Sequence, residues 1–285
     1  MYSGKTTNLG VIGYPIGHSL SPIVQNTGIQ EAGLDYAYTA MPVEPEHLEE
    51  AILGLKALGF RGVNVTIPHK QQVMQYLDKI DEAALQIGAV NTIVNDGGYL
   101  TGYNTDYIGF LSAFSQHSFE PAGKTALVLG AGGAARAVVC GLCQSKIKHL
   151  ILAVRNPAKA QELADKFADK TKITLCDWQD TQAMASYLGE ADLIVNTTPL
   201  GMEPNIQAMP PIDLKLASTQ AIVYDIIYTP GETLLLSTAK KLGMRTINGE
   251  AMLVGQGAEA FRLWSGHQLN EASMTKALHQ ALAQK

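Results

Sequence analysis

Residues 125–129, Thr-Ala-Leu-Val-Leu, form a short apolar run that ends in Gly130-Ala131-Gly132-Gly133-Ala134-Ala135 and passes directly into a helical pattern over 134–143. No other feature constrains the fold as tightly. The spacing fits G-x-G-x-x-G/A at Gly130, Gly132 and Ala135, and the strand before and helix after supply the context that the bare pattern needs. Such glycines permit a tight turn and let backbone N–H groups approach a pyrophosphate at the positive end of a helix dipole. Further apolar strands at 149–154, 173–175, 193–196 and 222–225, with a helix over 157–167, predict a doubly wound parallel sheet that binds a dinucleotide.

The end of the second strand decides which dinucleotide. An acidic residue there would hold a ribose 2′-hydroxyl, whereas an arginine accepts a 2′-phosphate. This chain has Val154-Arg155-Asn156, and between Lys146 and Lys172 seven basic residues face three acidic ones. NADP (NADPH) is therefore favoured over NAD. The competing explanation is a solvated helix face carrying Lys159, Lys166 and Lys170.

Composition narrows the class. The 285 residues are 46% apolar and 16% charged, against roughly 25% charged in an average globular chain. That favours a large core, spread over two domains by length. A net charge of −5 without a basic block argues against a nucleic-acid partner. No apolar run approaches the roughly 18 residues of a membrane span, and the first residues lack the order of a signal peptide, so the expectation is a cytoplasmic protein with no membrane partner. Three cysteines do not make a disulfide framework. Cys140 and Cys143 form a CxxC inside the helical stretch, where they read as small core residues, and with no second Cys or His pair no metal site is expected.

The first half reads as strand 9–12, loop 13–22, helix 23–31, strand 36–43, helix 47–58 ended by Gly59, and strand 62–67 stopped by Pro68. Two helical patterns and a hairpin across Asp96-Gly97-Gly98 follow. The first domain boundary lies within 106–123, and 249–264 and 271–283 are helical. The expected division is 1–108 with 246–285 as substrate domain and 109–245 as dinucleotide domain.

Four segments of the first half carry polar groups where an α/β core would be apolar: Ser19-Leu20-Ser21-Pro22, Asn64-Val65-Thr66-Ile67-Pro68-His69-Lys70, Gly88-Ala89-Val90-Asn91-Thr92 and Asn104-Thr105-Asp106. Strand alternation puts Asn64 and Thr66 on one face and Val63, Val65 and Ile67 on the other, with Lys70 opening the next helix. Singly, these are turn formers, helix caps or surface charges. Together, beside a nicotinamide domain, they read as a polyol or hydroxy-acid site, because oxidising a secondary alcohol needs a proton-handling group next to the reacting carbon.

These segments, with Gly130 to Arg136, Asn196-Thr197-Thr198-Pro199-Leu200-Gly201-Met202, Asp225-Ile226-Ile227-Tyr228-Thr229-Pro230 and 248–256, make eight ordered matches along nearly the whole chain. In them the chain resembles the shikimate dehydrogenases. The resemblance implies NADP-dependent, reversible reduction of 3-dehydroshikimate to shikimate, on the route to chorismate and the aromatic amino acids. It assigns Lys70 and Asp106 as the catalytic pair, Ser19, Ser21 and Tyr228 to the substrate carboxylate, and Asn64, Thr66, Asn91 and Gln256 to ring hydroxyls. It further implies cofactor contacts from Gly130, Ala131, Gly132, Gly133, Ala134, Arg155, Asn156, Lys159, Thr197, Ile226, Gly249 and Met252, and a return of the last helices to the first domain. NADP-specific members often carry Asn-Arg-Thr where this chain has Val154-Arg155-Asn156.

A free lysine amine is protonated at neutral pH, so Lys70 and Asp106 are expected to act as one coupled acid/base unit. One competing reading is a quinate/shikimate dehydrogenase using NAD or both cofactors. Another, of a different class, is a catalytically silent ligand sensor. The partners expected are small molecules, in a monomer or homodimer.

Overall fold

The structure, a computed structural model, describes residues 3–283. The chain separates into two compact units, one holding the residues up to Gly109 and those from Val254 onward, the other running Phe110–Leu253.

The first unit contains β1 (Thr7–Gly13), α1 (Ser21–Glu31), β2 (Tyr36–Pro42), α2 (Leu48–Ala57), β3 (Gly62–Val65), β4 (Lys79–Ile80), α3 (Glu82–Ile87), β5 (Thr92–Asp96), β6 (Tyr99–Tyr103) and the start of α4 (Asp106–Gln116). Its sheet has the order β2-β1-β3-β5-β6-β4. β2, β1 and β3 run parallel, while β5 is antiparallel to both β3 and β6. This mixture puts the carboxyl ends of β1, β3 and β6 and the amino end of β5 along one edge. The register Asn64↔Thr92↔Tyr103 fixes that edge residue by residue. Gly97 and Gly98, both at positive φ (62° and 98°), make the two-residue hairpin turn.

Three details differ from expectation. α1 starts at Ser21, with Pro22 in its first turn, a position that suits proline because the missing N–H is unused there. The two-residue β4 is too short to leave a pattern in sequence. Strand alternation stops at Val65: Ile67 is 74% exposed instead of sharing the buried face of Val63 and Val65. Pro68 cannot donate to a ladder, and the chain instead turns through His69 N–H to the Thr66 carbonyl (2.9 Å). Lys70 consequently lies in a turn before the 3₁₀ segment Gln72–Tyr76 and does not open a helix.

The second unit holds β7 (Thr125–Leu129), α5 (Gly133–Gln144), β8 (His149–Val154), α6 (Pro157–Lys166), β9 (Lys172–Asp177), α7 (Thr181–Glu190), β10 (Leu193–Asn196), β11 (Ile222–Asp225), α8 (Leu234–Lys241) and β12 (Arg245–Ile247). All its strands are parallel, in the order β12-β11-β10-β7-β8-β9. The order reverses between β7 and β10, and such a switch point opens a crevice at the carboxyl ends of the strands. Helices cover both faces, which is why the central strands are nearly all Leu, Ile, Val and Ala. Cys140 and Cys143 are buried in α5, and burial pushes the Cys143 thiol up to about 12.

The last helices are α9 (Glu250–Ser265) and α10 (Glu271–Leu282). Residues 246–253, which the sequence reading assigns to the first domain, group with the second unit. β12 is that unit's sixth strand, and the Gly249 N–H bonds the Ile227 carbonyl at 3.0 Å. From Val254 onward α9 belongs to the first unit, where Trp264 donates from Nε1 to the Ile93 carbonyl (2.8 Å) and accepts on its own carbonyl from Arg61 Nε (2.7 Å).

Candidate active site

The polar edge of the first sheet is a connected network. Lys70 Nζ donates to Asp106 Oδ2 at 2.6 Å, and Asn91 Nδ2 donates to Asp106 Oδ1 at 2.8 Å. The two side chains of the ion pair keep 28% and 13% of their exposure, so they are shielded yet open to a ligand. Sheet geometry explains the meeting: Lys70 follows β3, Asn91 precedes β5, and Asp106 opens α4 just after β6. The Lys70 carbonyl accepts from the Val90 N–H (2.8 Å), tying the lysine backbone to the residue before Asn91. Asn91 Oδ1 accepts from the Thr105 N–H (2.7 Å), which fixes its amide so that Nδ2 faces the aspartate. Gln256 from α9 reaches the same amide, with Oε1 at 3.4 Å from Asn91 Nδ2.

Asn64 is held still more tightly. Its Nδ2 donates to the Asn91 carbonyl (3.1 Å) and to Thr92 Oγ1 (3.0 Å), and its Oδ1 accepts from the Tyr38 hydroxyl (2.7 Å). Both amide protons are thus committed, leaving a lone pair on Oδ1 as the free polar function. Burial drives the Tyr38 phenol well above its ordinary range, opposed by a hydrogen bond with Ser21. Thr66 is half-buried, and a Cβ on Gly13 would lie 2.5 Å from its methyl, so a glycine is required where β1 ends. Ser19, in the loop between β1 and α1, and Ser21, the first residue of α1, are half-buried, with Ser19 Oγ accepting from the Ser21 N–H (3.3 Å).

The network also uses residues to which the sequence pattern assigns no role. Tyr38 lies within the predicted strand 36–43, where the sequence assigns it no role. Thr105 and Asn104 stood in the right segment without a role, yet they lock Asn91 and the Asp106 N–H. Outside that network, His69 is fully buried and its Nε2 donates to the Val43 carbonyl at 2.7 Å.

In the second unit the residues assigned to the cofactor cluster at strand ends: Gly130 after β7, Arg155 and Asn156 after β8, Thr197 after β10, Ile226 after β11 and Gly249 after β12. Gly130 has φ 107°, and a Cβ there would come within 2.8 Å of Thr197 Oγ1. Among the described residues, an added Cβ at Gly132 or Gly133 would meet nothing within 4 Å, and no side chain caps the start of α5. The open cradle of uncapped N–H groups at a helix start fits a pyrophosphate. Arg155 and Lys159 are exposed, and Asn156 Oδ1 accepts from the Lys159 N–H (3.3 Å), capping α6. Thr197 donates its hydroxyl to the Leu129 carbonyl (2.7 Å). Met252 and Ile226 are half-buried. Tyr228 follows β11, its phenol raised by burial.

Residues 11–93 match the family model for the shikimate dehydrogenase substrate binding domain, 113–207 that for shikimate / quinate 5-dehydrogenase, and 249–279 that for the shikimate 5'-dehydrogenase C-terminal domain. A shikimate dehydrogenase (NADP(+)) of Desulforamulus reducens is 42% identical over 99% of this chain and 97% of its own. The chain belongs to the shikimate dehydrogenase family. A crystal structure of a shikimate dehydrogenase in complex with NADP+ superposes with a TM-score of 0.92 at 42% identity, covering 99% of this chain and 97% of that one. The Thermus thermophilus enzyme, solved with NADP(H) and shikimate, gives 0.87 at 34% identity over 97% of this chain and 100% of its own. Asn64, Lys70 and Asn91 of the polar sheet edge fall in the stretch matched by the substrate binding model, Gln256 in that matched by the C-terminal model, and the glycine turn in that matched by the shikimate / quinate model, while Asp106 lies between the first two matched stretches of the chain.

Proposed function

We propose that the protein interconverts 3-dehydroshikimate and shikimate with NADPH and NADP+, with Lys70 and Asp106 as the proton-transfer pair. The observation that carries the reading is the Lys70–Asp106 contact at 2.6 Å, with Asn91 on the second carboxylate oxygen. NADP supplies the hydride acceptor or donor at the ring carbon. Lys70 and Asp106 hold the proton that the alcohol oxygen gains or loses, and Asn91 keeps the carboxylate aimed at the lysine. Ser19, Ser21 and Tyr228 bind the substrate carboxylate through neutral hydroxyls, while Asn64, Thr66, Asn91 and Gln256 bind ring hydroxyls. The cradle after β7 takes the pyrophosphate, and Arg155, Asn156 and Lys159 take the 2′-phosphate. Three buried free thiols accord with a reducing compartment, and a cytoplasmic location belongs to the proposal.

Initial rates with shikimate and quinate, each with NADP+ and NAD+, test the reading. Shikimate with NADP+ is expected to be fastest. Arg155→Ala is expected to raise KM for NADP+ at least tenfold while leaving that for NAD+ nearly unchanged, as loss of a phosphate-binding arginine would. Four equal rates would overturn the specificity. The quinate/shikimate alternative with NAD draws its support from the Val154-Arg155-Asn156 triplet, and the same assay separates the two.

A further inference from the structure

Gln25 lies in the middle of α1 and is 1% exposed. Its Nε2 donates to the carbonyl of Gly257 at 2.8 Å, the residue after Gln256 in α9. Its Oε1 is buried with no hydrogen-bond partner among the described residues. As a mid-helix carbonyl, Gly257 C=O has a partner within α9 already, so the Gln25 bond is surplus to what that helix needs. A methionine or leucine of similar shape would fill the space without burying an unpaired oxygen. The fold alone therefore does not account for an amide here.

The surroundings do. Gln25 is one helical turn after Ser21, so both lie on the same side of α1. Gly257 leaves room for the contact, since a Cβ there would come within 3.1 Å of Gln25 Nε2. The next residue of α1, Asn26, pairs with both backbone groups of Tyr38 (2.8 and 3.0 Å), whose hydroxyl holds Asn64. One helix thus carries Ser21 directly, reaches Asn64 through Asn26 and Tyr38, and reaches Gln256 through Gln25.

We propose that Gln25 is a positioning residue that sets the height of α9 against α1 and thereby aims the Gln256 side chain at the substrate ring. The proposal rests on Gln256 being a ring-hydroxyl ligand. It makes α1 a spacer between the carboxylate end of the site, at Ser21, and the hydroxyl end, at Gln256.

Steady-state kinetics of shikimate oxidation by Gln25→Met, Gln25→His, Gln256→Ala and the Gln25→Met/Gln256→Ala double variant test it. Gln25→Met is expected to raise KM for shikimate roughly fivefold, the weight of one hydrogen bond, with KM for NADP+ unchanged and thermal stability equal to or above the parent's. Gln25→His should restore KM, because the imidazole Nε2 stands as many atoms beyond Cβ as the glutamine Nε2 and also donates. The double variant should match Gln256→Ala alone, since a residue acting through Gln256 has nothing left to act on. An unchanged KM in Gln25→Met, or multiplying effects in the double variant, would overturn the positioning role while leaving Gln256 as a ligand. An unchanged KM in Gln256→Ala would overturn the ligand assignment itself, and the proposal with it.

Discussion

Two aspartates, one in each unit, keep opposite company. Asp106 meets a cation, Lys70 Nζ at 2.6 Å, and retains partial exposure. Asp225, at the carboxyl end of β11, is fully buried and accepts from three neutral donors: Thr233 Oγ1 at 2.7 Å, Asn196 Nδ2 at 3.0 Å and the Ile227 N–H at 3.2 Å. Burial pushes the Asp225 carboxyl up to about 6, with those three hydrogen bonds opposing the rise. A strongly shifted carboxyl is often taken as a mark of an active site. Asp225 nevertheless stitches β10 and β11 to the following loop, whereas the pair proposed for proton transfer is the half-open one, Lys70 and Asp106. Accessibility and a cationic partner distinguish Asp106 from Asp225.

The comparison breaks most visibly at the lysine. Lys70→Ala is expected to lower kcat by about 10²- to 10⁴-fold, the range of a lost acid/base group, with modest change in KM for shikimate. Near-normal turnover by stopped-flow or steady-state assay would remove the pair from the chemistry.

Asp225 should instead appear in stability. Its folded-state value, about 6, lies above that of an unfolded aspartate, so the folded chain binds the proton more tightly. Its contribution is therefore fully present below about pH 4 and is lost as pH rises through about 6, a change on the order of 3 kcal/mol. Chemical denaturation of the parent and of Asp225→Asn between pH 4 and 7 should show a downward slope in the parent that the variant lacks. Equal slopes would deny the buried titration.

Tyr38→Phe sharpens the contrast at the smaller end. Loss of the hydroxyl frees Asn64 Oδ1, and the expected cost is about 1 kcal/mol of stability, together with a few-fold rise in KM for shikimate and unchanged KM for NADP+. A variant altered in stability alone would make Tyr38 a packing residue.

Legibility in sequence followed the range of the interactions. β7, β8, β10 and β11 were legible end to end because a parallel strand buried on both faces leaves a continuous apolar run. The glycine turn was legible because backbone sterics demand glycine at Gly130. Both arise within a few residues. Ile67 and Lys70 depart from the expected strand alternation and helix start because β3 ends at Val65 and Pro68 cannot extend the ladder. β4 and β12, of two and three residues, have no period to detect.

By itself the sequence determined two α/β halves, a dinucleotide turn and, through eight ordered motifs, a family. Only the tertiary structure decided which polar groups are already committed to one another. Asn64 is bound by Tyr38 and Thr92, Asn91 by Thr105, and α9 by Gln25, across separations of up to 232 residues. Local sterics and periodicity are written into neighbouring residues, whereas a hydrogen bond between distant segments exists only once sheet order and register have brought donor and acceptor within about 3 Å.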